Sequence, residues 1–149
     1  MTPDSKTLRG LPYGEACCFG MPHIGARYRT NNANSNKLRE RAECAVCGVP
    51  ATNSHHEPPK GQGGRNRAFL LGGRVLRPAL IALCGSGTTG CHGLRHSGRL
   101  RFRWVWDDEE AEAEWWAGTL GVEPHSEALY GYGHWEVFRE GRLLKEVAR

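Results

Sequence analysis

The sequence lacks any uninterrupted apolar run of the roughly 18 residues that a membrane-spanning helix requires. It also lacks internal repeats and low-complexity tracts, which excludes a repeat architecture, and residues 1–9 are polar rather than signal-like. We therefore expect a soluble, cytoplasmic protein with no membrane partner. A chain of 149 residues is long enough for one core of ordinary size and is short for two independent domains.

Acidic residues are scarce in the first 103 residues, where 5 Asp and Glu stand against 16 Lys and Arg. Residues 104–149 hold 11 acidic and 4 basic residues, so the two parts carry +11 and −7 and together give the net charge of +4. A basic body suits a polyanionic partner, because Lys and Arg that neutralise phosphates release condensed counterions. A solvated basic surface without such a partner is the alternative.

Six cysteines without a secretory signal indicate metal ligands or reactive thiols rather than disulfides. Cys44 and Cys47 form a CxxC pair, and Cys84 and Cys91 follow with six residues between them. Two such pairs can supply the four thiolates of a tetrahedral structural zinc site, although the second loop is longer than the usual spacing. Four unrelated buried thiols are the alternative. The adjacent cysteines at 17 and 18 have no partner pair, so we expect packing residues or surface thiols there.

The rest of the sequence predicts an α+β fold with an irregular start. Residues 1–34 are rich in Gly, Pro, Asn and Arg, which predicts an arm rather than a core element, and a short helix is predicted at 35–42. The later predicted elements are a hairpin or loop across 69–76, a short apolar approach to Cys84 at 80–83, a helix at 91–100, a strand at 101–106, an acidic helix at 107–120, and a hairpin at 135–144 that turns at Glu140-Gly141. The five tryptophans are expected in the core rather than on a base-stacking surface.

Four histidines form a pattern that suits a hydrolytic metal centre. His55 and His56 are adjacent and begin the pattern HHxxPxxxGG. Neighbours on a strand point to opposite sides, so one imidazole can face a metal ion while the other faces a water. His92 and His96 lie four residues apart, on one face of a helix, and can close the same site while leaving coordination positions for a phosphate oxygen. The histidines at 23, 125 and 134 are expected to be structural.

The pattern HHxxPxxxGG, followed by LC and CHxxxH and preceded by CxxC, resembles the HNH endonuclease family, whose fold is called ββα-metal. The histidine pattern is similar to that of colicin nucleases, and segment 83–92 resembles HNH proteins of bacteriophages and prophages. The resemblance covers about residues 44–98 and implies a small zinc-stapled ββα-metal core, in which a hairpin and the following helix present the histidines. Residues 1–43 would then form an N-terminal arm and short helix, and residues 99–149 a strand, acidic helix and hairpin packed on that core.

The resemblance implies a role for each site residue. His56 would be the general base, while His55, His92 and a third ligand, His96, would hold a catalytic divalent metal ion (Mg²⁺, Mn²⁺, Ni²⁺ or Zn²⁺). The four cysteines would hold structural Zn²⁺. The implied substrate is double-stranded DNA, in the cytoplasm of a bacterial host if the chain is phage or prophage encoded, with any phage or host protein partners left open. The side chains placed to meet phosphates are Lys60, Arg65, Arg67 and Arg95.

One position departs from the family pattern. Members usually carry an Asn ahead of the helix histidine that braces the loop orienting the base, and the equivalent position here is Ala79. The alternative function is therefore a non-catalytic, zinc-stabilised DNA-binding or interaction module with a degenerate HNH fold. A further alternative places His92 in the zinc site instead of a cysteine, so that the whole constellation is one structural knot.

Overall fold

A computed structural model describes residues 18–25, 42–57, 69–71 and 73–148. Within them the chain has a mixed α+β fold, which confirms the expected fold class at this level. The elements in chain order are β1 (Asn53–Glu57), β2 (Phe69–Leu71), β3 (Arg74–Leu76), β4 (Ala79–Leu83), α1 (Gly90–His96), β5 (Leu100–Trp106), α2 (Glu109–Ala117), a 3-10 helix (Glu127–Gly131), β6 (Gly133–Arg139) and β7 (Arg142–Val147).

The first half of the fold is built on the antiparallel pair β1 and β4, which is followed by helix α1. His55 lies opposite Ile81 in this pair, and His56 lies opposite Leu80. β1 alternates between buried and half-buried residues toward its end, whereas all five residues of β4 are buried because the strand is apolar on both faces. The predicted hairpin across 69–76 is confirmed as β2 and β3, which lie in the connection between β1 and β4.

The second half is a three-stranded antiparallel sheet in the order β5, β6, β7, with α2 between β5 and β6 in the chain. β6 and β7 meet at the predicted turn, where Glu140 and Gly141 have φ angles of 53° and 78°. Two left-handed residues are what a tight type I′ hairpin turn needs. The predicted strand at 101–106 is confirmed as β5, which begins one residue earlier.

Both predicted helices are shorter than expected, because their ends are set by caps. α1 was expected to reach Leu100 but ends at His96, since Gly98 turns left-handed (φ 80°) and lets the chain reverse into β5. α2 was expected across 107–120. It begins after Asp108, whose carboxylate accepts the N–H of Glu110 at 2.9 Å, and ends before Gly118, which has φ 79°.

Residues 18–22 are buried, so the prediction that this part of the chain forms an arm rather than part of the core is wrong. Phe19 and Met21 are fully buried. Ile24 lies beside β4, where its N–H donates to Leu80 O at 3.0 Å and its carbonyl accepts from Ala82 N at 2.8 Å. Isolated bridges, rather than a regular helix or strand, hold the segment in place. Its sequence therefore shows no helical or strand periodicity. The rest of 1–34 and the predicted helix positions 35–41 lie outside the described residues.

One hydrophobic cluster runs through both halves and includes residues from 18 to 137. The prediction that tryptophans pack in the core is confirmed for four of the five, which are at most 5% exposed: Trp104, Trp115, Trp116 and Trp135. Cys18 is also buried in this cluster, as expected of a packing residue, and Cys17 lies outside the described residues. None of the helices in the described ranges is long and apolar enough to span a membrane.

The close passage of the chain beside α1 makes a prediction for Gly93. A Cβ on this residue would lie 2.6 Å from the carbonyl carbon of Thr88, whereas a Cβ on Gly131 would have nothing within 4 Å. We expect Gly93→Ala to lower the free energy of unfolding by about 1–3 kcal/mol, because the backbone at Thr88 has to move. Gly131→Ala is the matched control and should change it by less than about 0.5 kcal/mol. Equal urea-unfolding midpoints for the two variants would contradict the packing described here.

Candidate metal centre

The four paired cysteines converge at one end of the β1–β4 pair. The sulfur atoms of Cys44, Cys47, Cys84 and Cys91 all lie within 4.8 Å of one another. The Cys47 and Cys84 sulfurs are 3.6 Å apart, which excludes a disulfide between them and is close to the separation of about 3.8 Å expected for two sulfurs that are each 2.3 Å from a tetrahedral zinc ion. The cluster can therefore hold a structural metal ion.

Short loops with left-handed glycines position both cysteine pairs. The first pair lies in a turn closed by Cys44 N–H donating to Val49 O at 2.7 Å, with Gly48 at φ 82°. The second pair encloses a loop that Ser86 closes by donating its N–H to Thr89 O at 3.0 Å. Gly85 has φ 88°, and a Cβ there would lie 2.1 Å from Thr89 O, so only glycine allows this closure.

The electrostatics of the thiols fit a cation. Burial raises the pKa of the Cys44 thiol, but N–H groups that donate to its sulfur, that of Cys47 foremost, outweigh burial and lower its pKa to about 7. Burial raises the pKa of Cys91 far above its usual range, and the neighbouring thiols Cys84 and Cys44 raise it further. Successive thiolates repel one another in this cluster, so a bound cation is needed before all four can be deprotonated together.

Three of the four predicted site histidines also converge. One ring nitrogen each from His55, His92 and His96 lies within 4.8 Å of the others, and the Nε2 atoms of His92 and His96 are 2.9 Å apart. His55 is buried on β1, His92 is half-buried, and His96 is exposed. The group thus opens to solvent on the His96 side, which leaves room for further ligands of a bound ion.

Two imidazoles of this group, those of His55 and His92, favour the neutral form that a metal ion requires. Burial, together with the neighbouring His55 and His96, lowers the pKa of His92 to about 4. Burial also lowers the pKa of His55, against the opposing effect of Glu57. His55 Nε2 and His92 Nδ1 are buried without a hydrogen-bond partner, so the group carries polar atoms that the described residues do not satisfy. Neutral imidazoles with unsatisfied nitrogens fit a divalent metal ion.

The thiols and the imidazoles form two separate groups. His92 follows Cys91 directly, yet its ring belongs with His55 and His96, and no thiol of the described residues is part of that group. The structure therefore does not have the alternative arrangement, in which His92 replaces a cysteine in a single zinc site. The structure therefore has two separate candidate metal-binding groups, one of sulfur ligands and one of nitrogen ligands. Both include a residue from the start of α1, Cys91 in the first group and His92 in the second.

His56 lies apart from the imidazole group, because strand alternation turns it to the opposite face of β1 from His55 and Glu57. Its neighbour there is His23, whose Nδ1 accepts the N–H of Leu80, the residue opposite His56, at 2.8 Å. His56 is also close enough to His23 to lower the pKa of that ring. The expected alternation of the paired histidines is present, and the role of His56 as a base stays a prediction.

The structure adds Glu57, which the sequence analysis did not single out. Its side chain is only 3% exposed, and its Oε2 lies 3.8 Å from His55 Nε2. Arg95 on α1 donates to both of its oxygens, from Nε at 2.9 Å and from NH2 at 2.7 Å. Burial raises the pKa of Glu57, but the nearby His55 ring and the two hydrogen bonds from Arg95 outweigh burial and lower the pKa overall. A charged residue two positions after His55 lies on the same strand face, and this spacing was the available signal.

The residues predicted to meet phosphates have different outcomes. Arg95 forms a buried ion pair with Glu57. A phosphate that contacts Arg95 would therefore have to bind a guanidinium that already binds this carboxylate. The remaining three, Lys60, Arg65 and Arg67, lie outside the described residues. Ala79, at the position of the usual Asn, is fully buried opposite Glu57, and its methyl group offers no hydrogen bond.

Comparison with protein-family models, with characterised proteins and with solved structures gives no match to this chain. The likeness to HNH endonucleases therefore depends on the motif residues.

A cysteine variant tests the sulfur group. We expect Cys44→Ser to lose about one zinc ion per chain and to unfold, because zinc-binding free energies of about 10–16 kcal/mol rival the whole stability of a domain, about 5–15 kcal/mol. Zinc is measured by elemental analysis and folding by circular dichroism and thermal unfolding. Cys18→Ala, a buried cysteine outside the group, is the control and should keep its zinc. A folded, zinc-free Cys44→Ser protein would overturn the assignment.

The stacked pair His23 and His125 predicts a loss of stability in acid. Their ring centroids are 4.4 Å apart, and burial is the main cause that lowers the pKa of His23 to about 3 and of His125 to about 4. Below about pH 6.5, the pKa of histidine in the unfolded chain, the unfolded chain binds protons that the folded chain does not bind. The free energy of unfolding therefore falls as the pH falls, by about 1.4 kcal/mol per pH unit for each of the two groups.

The variant His125→Asn removes one of these groups, and Asn tolerates the left-handed backbone at this position (φ 65°). Urea unfolding with excess zinc, at about pH 7.5 and about pH 5.5, should show a drop for the wild type that is about 1 kcal/mol larger than the drop for the variant. Comparing the two proteins cancels any acid release of zinc. An equal drop in both proteins would show that His125 is protonated in the folded state.

Proposed function

We propose that this protein is a metal-dependent endonuclease of the HNH type that hydrolyses phosphodiester bonds of double-stranded DNA. The observation that carries the proposal is the convergence of His55, His92 and His96, whose ligand nitrogens lie within 4.8 Å of one another on a strand and a following helix. The adjacent four-cysteine group supports it, because a structural zinc ion there would fix that strand and helix against each other.

The three histidines are proposed to hold one divalent metal ion, Zn²⁺, Ni²⁺, Mn²⁺ or Mg²⁺. Imidazole nitrogens favour the softer of these ions, and the exposure of His96 leaves coordination positions for a phosphate oxygen. When bound, the ion would polarise the scissile phosphate and stabilise the departing 3′ oxygen. Products with 5′-phosphate and 3′-hydroxyl ends are therefore expected.

His56 is proposed as the general base that takes a proton from the attacking water. Its support is its place in the motif, together with the strand alternation that turns it away from the ligand His55. An imidazole suits this role because its ordinary pKa of about 6.5 is near neutral pH. Glu57 and Arg95 are proposed to orient His55, because their buried ion pair joins β1 to α1 beside that ring.

DNA as the substrate is supported by the charge of +11 in the first 103 residues. Lys60, Arg65 and Arg67 follow the paired histidines closely in the chain, as phosphate contacts near the reaction centre would have to. A cytoplasmic location in a bacterial host, a phage or prophage origin, and phage or host protein partners belong to the same proposal, and the motif resemblance is their only support.

The buried methyl group of Ala79 favours a second candidate, a zinc-stabilised DNA-binding module without catalysis. Residue 79 has no amide, so it cannot supply the brace that the HNH family uses at this position to orient its base. The three converging histidines favour the enzyme, because a binding module needs the sulfur group for stability but has no need of a second, solvent-open group of ligands.

Plasmid cleavage separates the two functions. With Mg²⁺, Mn²⁺, Ni²⁺ or Zn²⁺, the wild type should cut supercoiled plasmid, and His56→Ala should lower the rate by roughly 100-fold or more while leaving folding and DNA affinity unchanged. His125→Asn, which alters a histidine outside both groups, is the control and should cut normally. DNA binding without cutting by the wild type under every metal would establish the binding module instead.

A further inference from the structure

A third group of metal-type ligands lies on the three-stranded sheet, away from the groups described above. His134 and Glu136 are two residues apart on β6 and share its outer face. Glu146 on β7 is directly opposite Glu136 in the strand register. One ring nitrogen of His134 and one oxygen of each carboxylate all lie within 4.8 Å of one another.

The hydrogen bond of His134 to Asp107 leaves the Nε2 atom of the ring, which carries no proton in the neutral form, facing Glu136 and Glu146. Its Nδ1 is 2.8 Å from Asp107 Oδ1, so this nitrogen carries the proton that is donated. In the neutral ring, Nε2 then holds a lone pair. This atom is buried and has no hydrogen-bond partner, at 3.7 Å from Glu136 Oε2 and 3.7 Å from Glu146 Oε1.

These distances suit ligands of one ion better than a hydrogen-bonded ion pair. A separation of 3.7 Å is too long for a hydrogen bond. It is close to the spacing of about 3.4 Å between two ligands that each lie 2.0–2.2 Å from a tetrahedral zinc ion. His134 Nε2 would need to approach each of these two carboxylate oxygens by only a few tenths of an ångström to share a cation with it.

Outer contacts orient two of the three ligands, as they do in many metal sites. Asp107 holds the imidazole of His134 in the tautomer that exposes Nε2. Arg103 on β5 donates from NH2 to Glu136 Oε1 at 2.6 Å, which leaves Oε2 of that carboxylate to face the imidazole. The contacts therefore place one nitrogen and one oxygen toward the same point.

The negative charges of Glu136 and Glu146 also favour a bound cation between them. Like charges directly opposite on neighbouring strands are destabilising, and Glu136 and Glu146 are such a pair. Among the described ion pairs, Arg103 offsets the charge of Glu136, but Glu146 has only the imidazole of His134. A divalent ion between the two carboxylates would change this repulsion into an attraction across β6 and β7.

We propose that His134, Glu136 and Glu146 bind a divalent transition-metal ion, with Zn²⁺ favoured, that fastens the edge strand β7 to β6. One imidazole and two carboxylates are a common ligand set for Zn²⁺, and the exposed side of Glu146 leaves a position for water. The ion acts structurally, because β7 is the outermost strand and five of its six residues are exposed. The site is independent of the nuclease proposal, since it shares no residue with either earlier group.

The experiment counts zinc on folded protein at equilibrium with a zinc buffer that saturates the wild type. Glu146→Gln should bind about one zinc ion fewer per chain than the wild type, and excess zinc should raise its melting temperature less. Glu140→Gln is the matched control, because Glu140 lies on the same hairpin, is similarly exposed (51% against 55% for the Glu146 side chain), and pairs with Arg99. The control should bind as much zinc as the wild type.

Equal zinc contents in all three proteins would overturn the proposal. Nitrogen NMR of the histidine side chains gives a second readout that needs no variant. If zinc binds at this site, the Nε2 resonance of His134 should shift on zinc addition. In the zinc-saturated protein, the Nε2 atom should carry no proton. A proton on Nε2 at neutral pH with zinc saturated would show an imidazolium held by three carboxylates and no metal site.

Discussion

The cluster of four thiols sets the geometry on which the candidate site depends. Cys84 directly follows β4 and Cys91 lies in the first turn of α1, so the cluster fixes where the helix starts relative to the strand pair. His92 is next to Cys91, and His55 is tied to β4 through its register with Ile81. The imidazoles therefore converge only if the sulfurs do. Because buried thiols repel one another once ionised, a metal ion bound to all four would hold this loop closed.

A buried ion pair supplies the second constraint, which is the rotation of α1 about its axis. A carboxylate as buried as Glu57 is costly unless it is compensated, and Arg95 compensates it with two hydrogen bonds. This contact directs the Arg95 side of the helix toward β1. His92 and His96 flank Arg95 in sequence and are brought toward His55 by the same rotation. The ion pair therefore helps to place the three candidate metal ligands, although neither Glu57 nor Arg95 belongs to that group.

The parts of the fold that follow from local patterns could be predicted from the sequence, and those that depend on tertiary contacts could not. Cysteine spacing, the HxxxH interval and the Glu140-Gly141 turn are short-range features, and each predicts a structure that is present. The partnership of Glu57 with Arg95 joins residues 38 apart and has no pattern of its own. Burial of 18–22 was missed because the segment 18–25 is held by isolated bridges rather than by periodic pairing.

The segment 18–25 also links the half that carries the two candidate metal-binding groups to the three-stranded sheet. On one side, Gly20 N–H donates to Arg77 O at 2.8 Å and Ile24 bonds to β4. On the other side, the indole N–H of Trp135 donates to Pro22 O at 2.9 Å, and His125 N–H donates to Gly20 O at 2.7 Å. A fragment limited to residues 44–98 would lose this bridge and would expose β4, which is apolar on both faces. The candidate nuclease site therefore depends on packing from both chain ends, although its ligands all lie between them.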